Sequence, residues 1–393
     1  MKQLRRATSL LLWFSLCAIS LAAQQTGLAA RLERIEQTIQ QELQKSGAPG
    51  AAVAIELDGR IIFAKGFGYA DVEGKVPFTA QTVSRIGSIS KTFTALAVMQ
   101  LVEQGKIKLD DEVQAYVPSF PKKSAPITIR QLLGHQGGIR HYQGDEMLSN
   151  KHYDTVEAAL AIFKDDPLIA EPGTKYSYTT YGYNLLSRVV EAASGMSFCD
   201  YVQQRILTPL GLKQTYFDEP ARIIAQRARN YTKRKDSPLE NAPAVDQSNK
   251  WGGGGLVSTV EDLLRYADSY DQRKLLKAET IELMFTPQKT RDGKPTAYGM
   301  GWTSAIDNGH RRIEHTGGSV GATSALAMYP ADKIKIAVLV KQRFLHRPGD
   351  SRTGGENPVR AIAHGLPWGR YRAPPRTIIR KKGDEKQQLT RKP

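Results

Sequence analysis

The chain has 393 residues, 40% of them hydrophobic and 24% charged, with a formal net charge of +16. These are the fractions of an ordinary globular protein, at a length beyond what a single core supports. Two cysteines exclude a disulfide scaffold, and with no nucleic-acid-binding motif the positive charge reads as solvated surface.

Taken in chain order, Lys2, Arg5 and Arg6 precede the apolar stretch 9–23, which carries small residues at Ser20, Ala22 and Ala23. That pattern predicts a secretory signal peptide over residues 1–23, and so an exported protein, periplasmic or secreted. The stretch is too short to span a membrane comfortably, so no integral span is expected once it is removed. Export would leave Cys199 as the one thiol, in Ser197-Phe-Cys-Asp-Tyr-Val202, where it reads as a packing residue. Leu28, Leu32, Ile35, Ile39 and Leu43 then repeat at helical spacing, and Ser46-Gly47 ends that helix. Two apolar runs, 51–57 and 60–67, flank Asp58-Gly59, the strongest short hairpin signal.

The next stretch, Arg85-Ile-Gly-Ser88-Ile-Ser-Lys91, opens an apolar run from Ile89 to Val102 that Gly105 is placed to stop. Apolar nearly all round, this run reads as a buried central helix. Ser88 and Lys91 would lie one turn apart on one face, close enough to share a proton. The helix start would favour negative charge developing at Ser88. A second Ser-x-x-Lys, Ser119-Phe-Pro-Lys122, contains a proline and sits in a loop-like segment, so no rigid turn fixes it. His135 and His141 flank Gln-Gly-Gly-Ile-Arg, but without an H-E-x-x-H pattern or a cysteine cluster they do not amount to a metal site.

Helices are expected over 155–163, 181–193, 198–207, 259–270 and 277–285. Before the second of these, Tyr178 lies in a turn-rich segment from which a phenol can project into a cleft. Taken alone, any one tyrosine there reads as rim packing. Strands return over 297–304, 311–315, 322–329 and 334–340, with a short helix over 359–364. The bend His315-Thr-Gly-Gly318 joins a strand to glycines whose amides can approach a substrate and form half of an oxyanion hole. The same bend holds a rival motif, Gly317-Gly-Ser319-Val-Gly321, of the G-x-S-x-G type. That motif needs a helix after it, whereas the residues that follow read as a hairpin. Strands from both chain ends with helices between them predict an α+β fold. It would have an antiparallel sheet flanked by helices and an inserted, mainly helical lobe. The organisation expected is a two-lobed domain over 24–365 and a basic, disordered tail over 366–393.

Six stretches occur in one order: Ile86-Gly-Ser-Ile-Ser-Lys-Thr-Phe-Thr94, Ile127-Thr-Ile-Arg-Gln-Leu-Leu-Gly-His-Gln-Gly-Gly-Ile139, Pro172-Gly-Thr-Lys-Tyr-Ser-Tyr178, Gly253-Gly-Gly-Leu-Val-Ser-Thr259, Tyr298-Gly-Met-Gly-Trp302 and His315-Thr-Gly-Gly318. Together they resemble the serine β-lactamase and penicillin-binding protein family, in its class C-like branch. Gly138-Ile-Arg-His-Tyr142 and Tyr178-Thr-Thr-Tyr-Gly-Tyr183 look most like the mitochondrial serine β-lactamase-like proteins and their bacterial relatives. Those are regarded as peptidases or hydrolases rather than antibiotic-resistance enzymes. The resemblance implies a β-lactamase/transpeptidase-like fold, with Ser88 as the acylated nucleophile and Lys91 and Tyr178 as the proton-handling pair. The amides of Ser88 and Gly318 would form the oxyanion hole beside Gly317.

Two positions depart from the family pattern. Thr180 stands where the family's Tyr-x-Asn has asparagine, and His315 stands where many members carry a lysine that meets the substrate carboxylate. Both weaken the case for penicillin hydrolysis and leave the acyl-transfer core intact. The function expected is an exported serine hydrolase acting through a Ser88 acyl-enzyme on an ester or amide. The partner would be a small-molecule or peptide substrate, such as a short peptide or peptidoglycan-like fragment, with no cofactor or metal and no nucleic acid. A true β-lactamase or D-Ala-D-Ala carboxypeptidase is the alternative within enzymes. A non-catalytic envelope-binding protein of the same fold is the alternative outside them. The sequence leaves the oligomeric state open.

Overall fold

A computed structural model describes residues 27–233, 237–341, 343–344 and 361–363. The expected signal peptide and the basic tail lie outside the described residues. Of the last expected helix, 361–363 is helical and the rest also lies outside them. Among the described residues no helix is long and apolar enough to cross a membrane.

Strands drawn from the two ends of the chain meet at the centre of a seven-stranded sheet. In chain order these are β1 (Gly50–Leu57), β2 (Arg60–Asp71), β3 (Val76–Pro77), β4 (Thr303–Asp307), β5 (His310–Ser319), β6 (Ala322–Tyr329) and β7 (Ile334–Val340). The spatial order is β3-β2-β1-β7-β6-β5-β4, and every pairing is antiparallel. β1 and β7 are buried along nearly their whole lengths because both faces of the sheet are covered. Ala52 and Ala54 turn into one core while Ala51, Val53 and Ile55 turn into the other. A register slip of one residue would exchange the two sets. Each buried isoleucine or valine side chain contributes about 1.5–3 kcal/mol, enough to fix that register.

The amphipathic helix α1 (27–46) covers the second face with Ile35, Ile39 and Leu43, and Gly47 at φ +65 ends it as expected. The β1–β2 hairpin turns at Asp58 and Gly59, both at positive φ. The inserted lobe packs on the first face around α2 (Ser90–Glu103), in which eleven residues are buried. Beside it lie α3 (Thr180–Ser194), α4 (Val260–Asp271) and α5 (Ala278–Phe285). Phe93 of α2 stacks on Tyr266 of α4 at 3.9 Å between centroids. Lys335 of β7 pins α4 to the sheet by reaching Glu56 (2.6 Å), Asp271 (2.8 Å) and Asp268 (3.1 Å).

Several element boundaries differ from expectation. Of the predicted strand 297–304 only Thr303 and Ser304 are extended with the sheet, in a strand that runs on to Asp307. Gly301, at φ +85, bends the preceding loop against α2, where a Cβ would lie 2.5 Å from that of Ala95. The predicted helix 155–163 is helical over Val156–Leu160, and 198–207 divides into an α-helical turn, Phe198–Val202, and a π-helical turn, Gln203–Leu207. The lobe also holds short strands that the sequence reading passed over, among them Leu256–Ser258 between Ser84–Arg85 and Tyr216–Phe217.

Candidate active site

Ser88 lies in a 3-10 turn, Gly87–Ile89, that runs directly into α2. The turn sits against β5 because two glycines permit it. A Cβ on Gly87, which has φ +49, would meet the backbone of Gly318 at 2.7–2.8 Å, and one on Gly317 would meet the Ile86 carbonyl at 1.9 Å. No side chain fits between the serine turn and the strand. Ser324 of β6 donates to that same Ile86 carbonyl at 2.7 Å and ties the turn to the sheet.

Lys91, in the first turn of α2, is wholly buried. Its Nζ lies 3.1 Å from Ser88 Oγ, 3.1 Å from Thr180 Oγ1 and 2.6 Å from the Gly253 carbonyl. Among the described residues no carboxylate pairs with it, and burial pushes its pKa well below the ordinary 10.5. A neutral amine donates two hydrogens, to Gly253 and Thr180. Its lone pair then faces the serine hydroxyl.

Tyr178 precedes α3, and its hydroxyl is hydrogen-bonded to Ser88. The phenol is partly open to the cleft, yet its surroundings push its pKa well above 10. The Lys91 ammonium position lies 4.9 Å from the ring centroid. The tyrosine is held through its neighbours. Ser177 N–H donates to the His135 carbonyl at 2.7 Å, and Thr179 N–H donates to His135 Nδ1 at 3.2 Å. Thr180 N–H donates to His141 Nδ1 at 3.2 Å. The two histidines weighed above as a metal pair thus accept successive amides at the start of α3.

His315 is 4% exposed, with Nδ1 2.7 Å from the Thr316 carbonyl and Nε2 2.9 Å from the Tyr298 hydroxyl. A carbonyl only accepts, so Nδ1 carries the proton and Nε2 accepts from Tyr298. Burial, with Lys91 nearby, pushes its pKa down to about 3. This imidazole is a neutral brace whose nitrogens are both engaged, not a cation facing the cleft. β4 pairs with β5 only as far as Glu314, so His315, Thr316, Gly317 and Gly318 have no β4 partner along that edge.

A serine hydroxyl between a neutral amine and a phenol, with the Gly318 backbone alongside, is an arrangement suited to acyl transfer. The rival serines lack it. Ser319 is buried at the end of β5 and leads into a hairpin with β6, with no helix following. Ser119 lies in a turn outside any helix. The Cys199 thiol is pushed up to about 12 by burial and is no thiolate. Sequence reasoning found Ser88, Lys91, Tyr178 and Thr180, which the fold brings together. It missed His135, His141 and Tyr298 as members of the site. Their signals were a histidine beside glycines and a tyrosine beside Gly-Met-Gly, and neither names a chemical role.

A family model described as Beta-lactamase matches residues 35–356. The chain is 33% identical over 382 aligned residues to the human serine beta-lactamase-like protein LACTB, mitochondrial, covering 73% of this chain and 70% of that protein. It is 28% identical to protein flp of Staphylococcus aureus strain MW2, over 78% of this chain and 62% of that one. A solved structure, the octameric penicillin-binding protein homologue from Pyrococcus abyssi, matches with a TM-score of 0.71 at 32% identity. That match covers 79% of this chain and 73% of the other.

Proposed function

The chain belongs to the β-lactamase family of serine hydrolases, and from that premise we propose that it hydrolyses an ester or amide through an acyl-enzyme on Ser88. The observation that carries this reading is the Ser88 hydroxyl 3.1 Å from a buried Lys91 amine and hydrogen-bonded to Tyr178. Neutral Lys91 would take the hydroxyl proton as Oγ bonds to the substrate carbonyl carbon. The amides of Ser88 and Gly318 would hold the resulting oxyanion. Tyr178 would give its proton to the departing oxygen or nitrogen, and the proton on Lys91 would then pass back to the phenolate. Water, deprotonated by the same pair, would release the acyl group and restore Ser88.

The proposed substrate is a short peptide or peptidoglycan-like fragment. A cavity of about 560 Å³ that shares Tyr298 with the site, and is lined also by Lys175, Tyr176, Asp292, Lys294 and Pro295, supports a substrate with polar and apolar parts. A neutral, engaged His315 disfavours strict recognition of a carboxylate at the usual lysine position. The proposal includes export, for which the basic and apolar pattern of residues 2–23 is the support.

The test is a panel of p-nitrophenyl esters, short peptide amides, a D-Ala-D-Ala peptide and nitrocefin, offered to wild type and Ser88→Ala. Ester or amide turnover that vanishes in Ser88→Ala is the expected result. Undiminished turnover in the variant would sink the assignment. Nitrocefin or D-Ala-D-Ala cleavage in preference to the esters would move it to the β-lactamase or carboxypeptidase alternative. Saturable peptidoglycan binding without turnover would move it to the binding-protein alternative.

A further inference from the structure

Seven described non-glycine residues have positive φ, and six of them are exposed residues of turns. The seventh, His135 at φ +56, is wholly buried. A left-handed conformation at a non-glycine residue costs on the order of 1–3 kcal/mol and persists where the surroundings demand it. Here the demand is visible. The backbone turn lets one residue present both its carbonyl oxygen and its Nδ1 to the same extended segment, at 2.7 Å from Ser177 N and 3.2 Å from Thr179 N. These are the amides on either side of Tyr178. The imidazole also lies 4.2 Å from the Tyr178 ring, with Tyr183 at 5.0 Å and Tyr298 at 4.6 Å behind it.

We propose that His135 is a positioning residue for acyl transfer: it sets the Tyr178 hydroxyl on Ser88 by gripping the backbone on both sides of the tyrosine. The proposal rests on the serine-hydrolase reading above. Because Nδ1 accepts an amide hydrogen, the ring proton sits on Nε2, which has no hydrogen-bond partner among the described residues. A second proton would set Nδ1–H against Thr179 N–H and place a positive charge on a wholly buried ring, which burial opposes. The clamp therefore works as a neutral acceptor. Leucine would keep the volume and lose the acceptor. Asparagine would keep an acceptor oxygen and tolerates positive φ.

The experiment compares wild type, His135→Leu, His135→Asn and His135→Gly as full chains. It measures kcat and KM for p-nitrophenyl acetate, the rate of Ser88 labelling by a fluorophosphonate, and melting temperature. In His135→Leu, kcat should fall at least about tenfold with KM within about twofold, the signature of a lost transition-state contact. Labelling should slow in parallel, and His135→Asn should recover to within about threefold of wild type. A folded His135→Leu with wild-type kcat overturns the proposal, as does an Asn variant no faster than Leu at equal melting temperature. If the leucine protein does not fold, Asn against Gly decides, since glycine accepts the backbone angle and offers no acceptor. Asn faster supports the clamp, and equal rates overturn it. A wild type that takes no adduct at Ser88 overturns the serine-hydrolase reading itself, and this proposal with it. A labelled wild type with unaffected variants overturns this proposal alone.

Discussion

At the scale of residues, the site turns on protons. Lys91 must be neutral and Tyr178 protonated for the cycle to begin, and burial pushes each group in that direction. Burial lowers the lysine, so kcat/KM should climb as pH rises through that depressed value and then level off. Burial raises the phenol, so no alkaline fall belonging to Tyr178 should appear below pH 10. A pH–rate profile on a neutral ester checks both limbs. A falling limb near neutrality would mean that another group carries the chemistry. Replacing Tyr178 with Phe should cost about 10²–10⁴-fold in kcat, the usual worth of a proton-transfer group, with melting temperature little changed. The nucleophile and its lysine were legible in the sequence because a helical turn fixes their spacing. His135 and His141 were not. Their roles are to accept the backbone amides of Thr179 and Thr180, and an amide leaves no mark on the sequence.

At the scale of elements, the close approach of β5 to the serine turn depends on a missing side chain. A methyl group at Gly317 would sit 1.9 Å from the Ile86 carbonyl, and backbone cannot yield that far. Gly317→Ala should therefore cost at least about tenfold in Ser88 labelling, because displacing the strand moves the oxyanion-binding backbone out of place. Gly59→Ala, at an open hairpin position, should leave labelling unchanged. The ion cluster that ties α4 to the sheet answers to stability instead. Burial lowers the Lys335 pKa, and hydrogen bonds to Asp271 and Glu56 more than offset this. Lys335→Met would strand a buried Glu56 and should destabilise the fold by about 3–5 kcal/mol by urea unfolding, while Glu56→Gln in the same chain recovers part of the loss. Strands β6 and β7 were legible to the residue because each is a mostly apolar run and a proline turn separates them. The stretch 297–302 was not, since its apolar residues fold against α2 through Gly301, a contact distant in sequence.

At the scale of the whole molecule, the sheet closes on strands from both ends of the domain, and the site lies where the inserted lobe meets its β5 edge. Buried, neutral imidazole couples this site to global stability. His315 is depressed from 6.5 to about 3, so between those values the unfolded chain takes up a proton that the folded protein refuses. Stability should be fully present above pH 6.5 and fall as pH drops towards 3, by about 1.4 kcal/mol per pH unit for each such histidine. His315→Gln should flatten that slope in urea midpoints measured against pH. An unchanged slope would mean that His315 titrates normally.

An activated Ser88 would be acylated or phosphonylated selectively, and the intact mass of the protein after exposure to a fluorophosphonate reads this. One adduct on wild type and none on Ser88→Ala is the predicted result. An adduct on both proteins, or on neither, would contradict it.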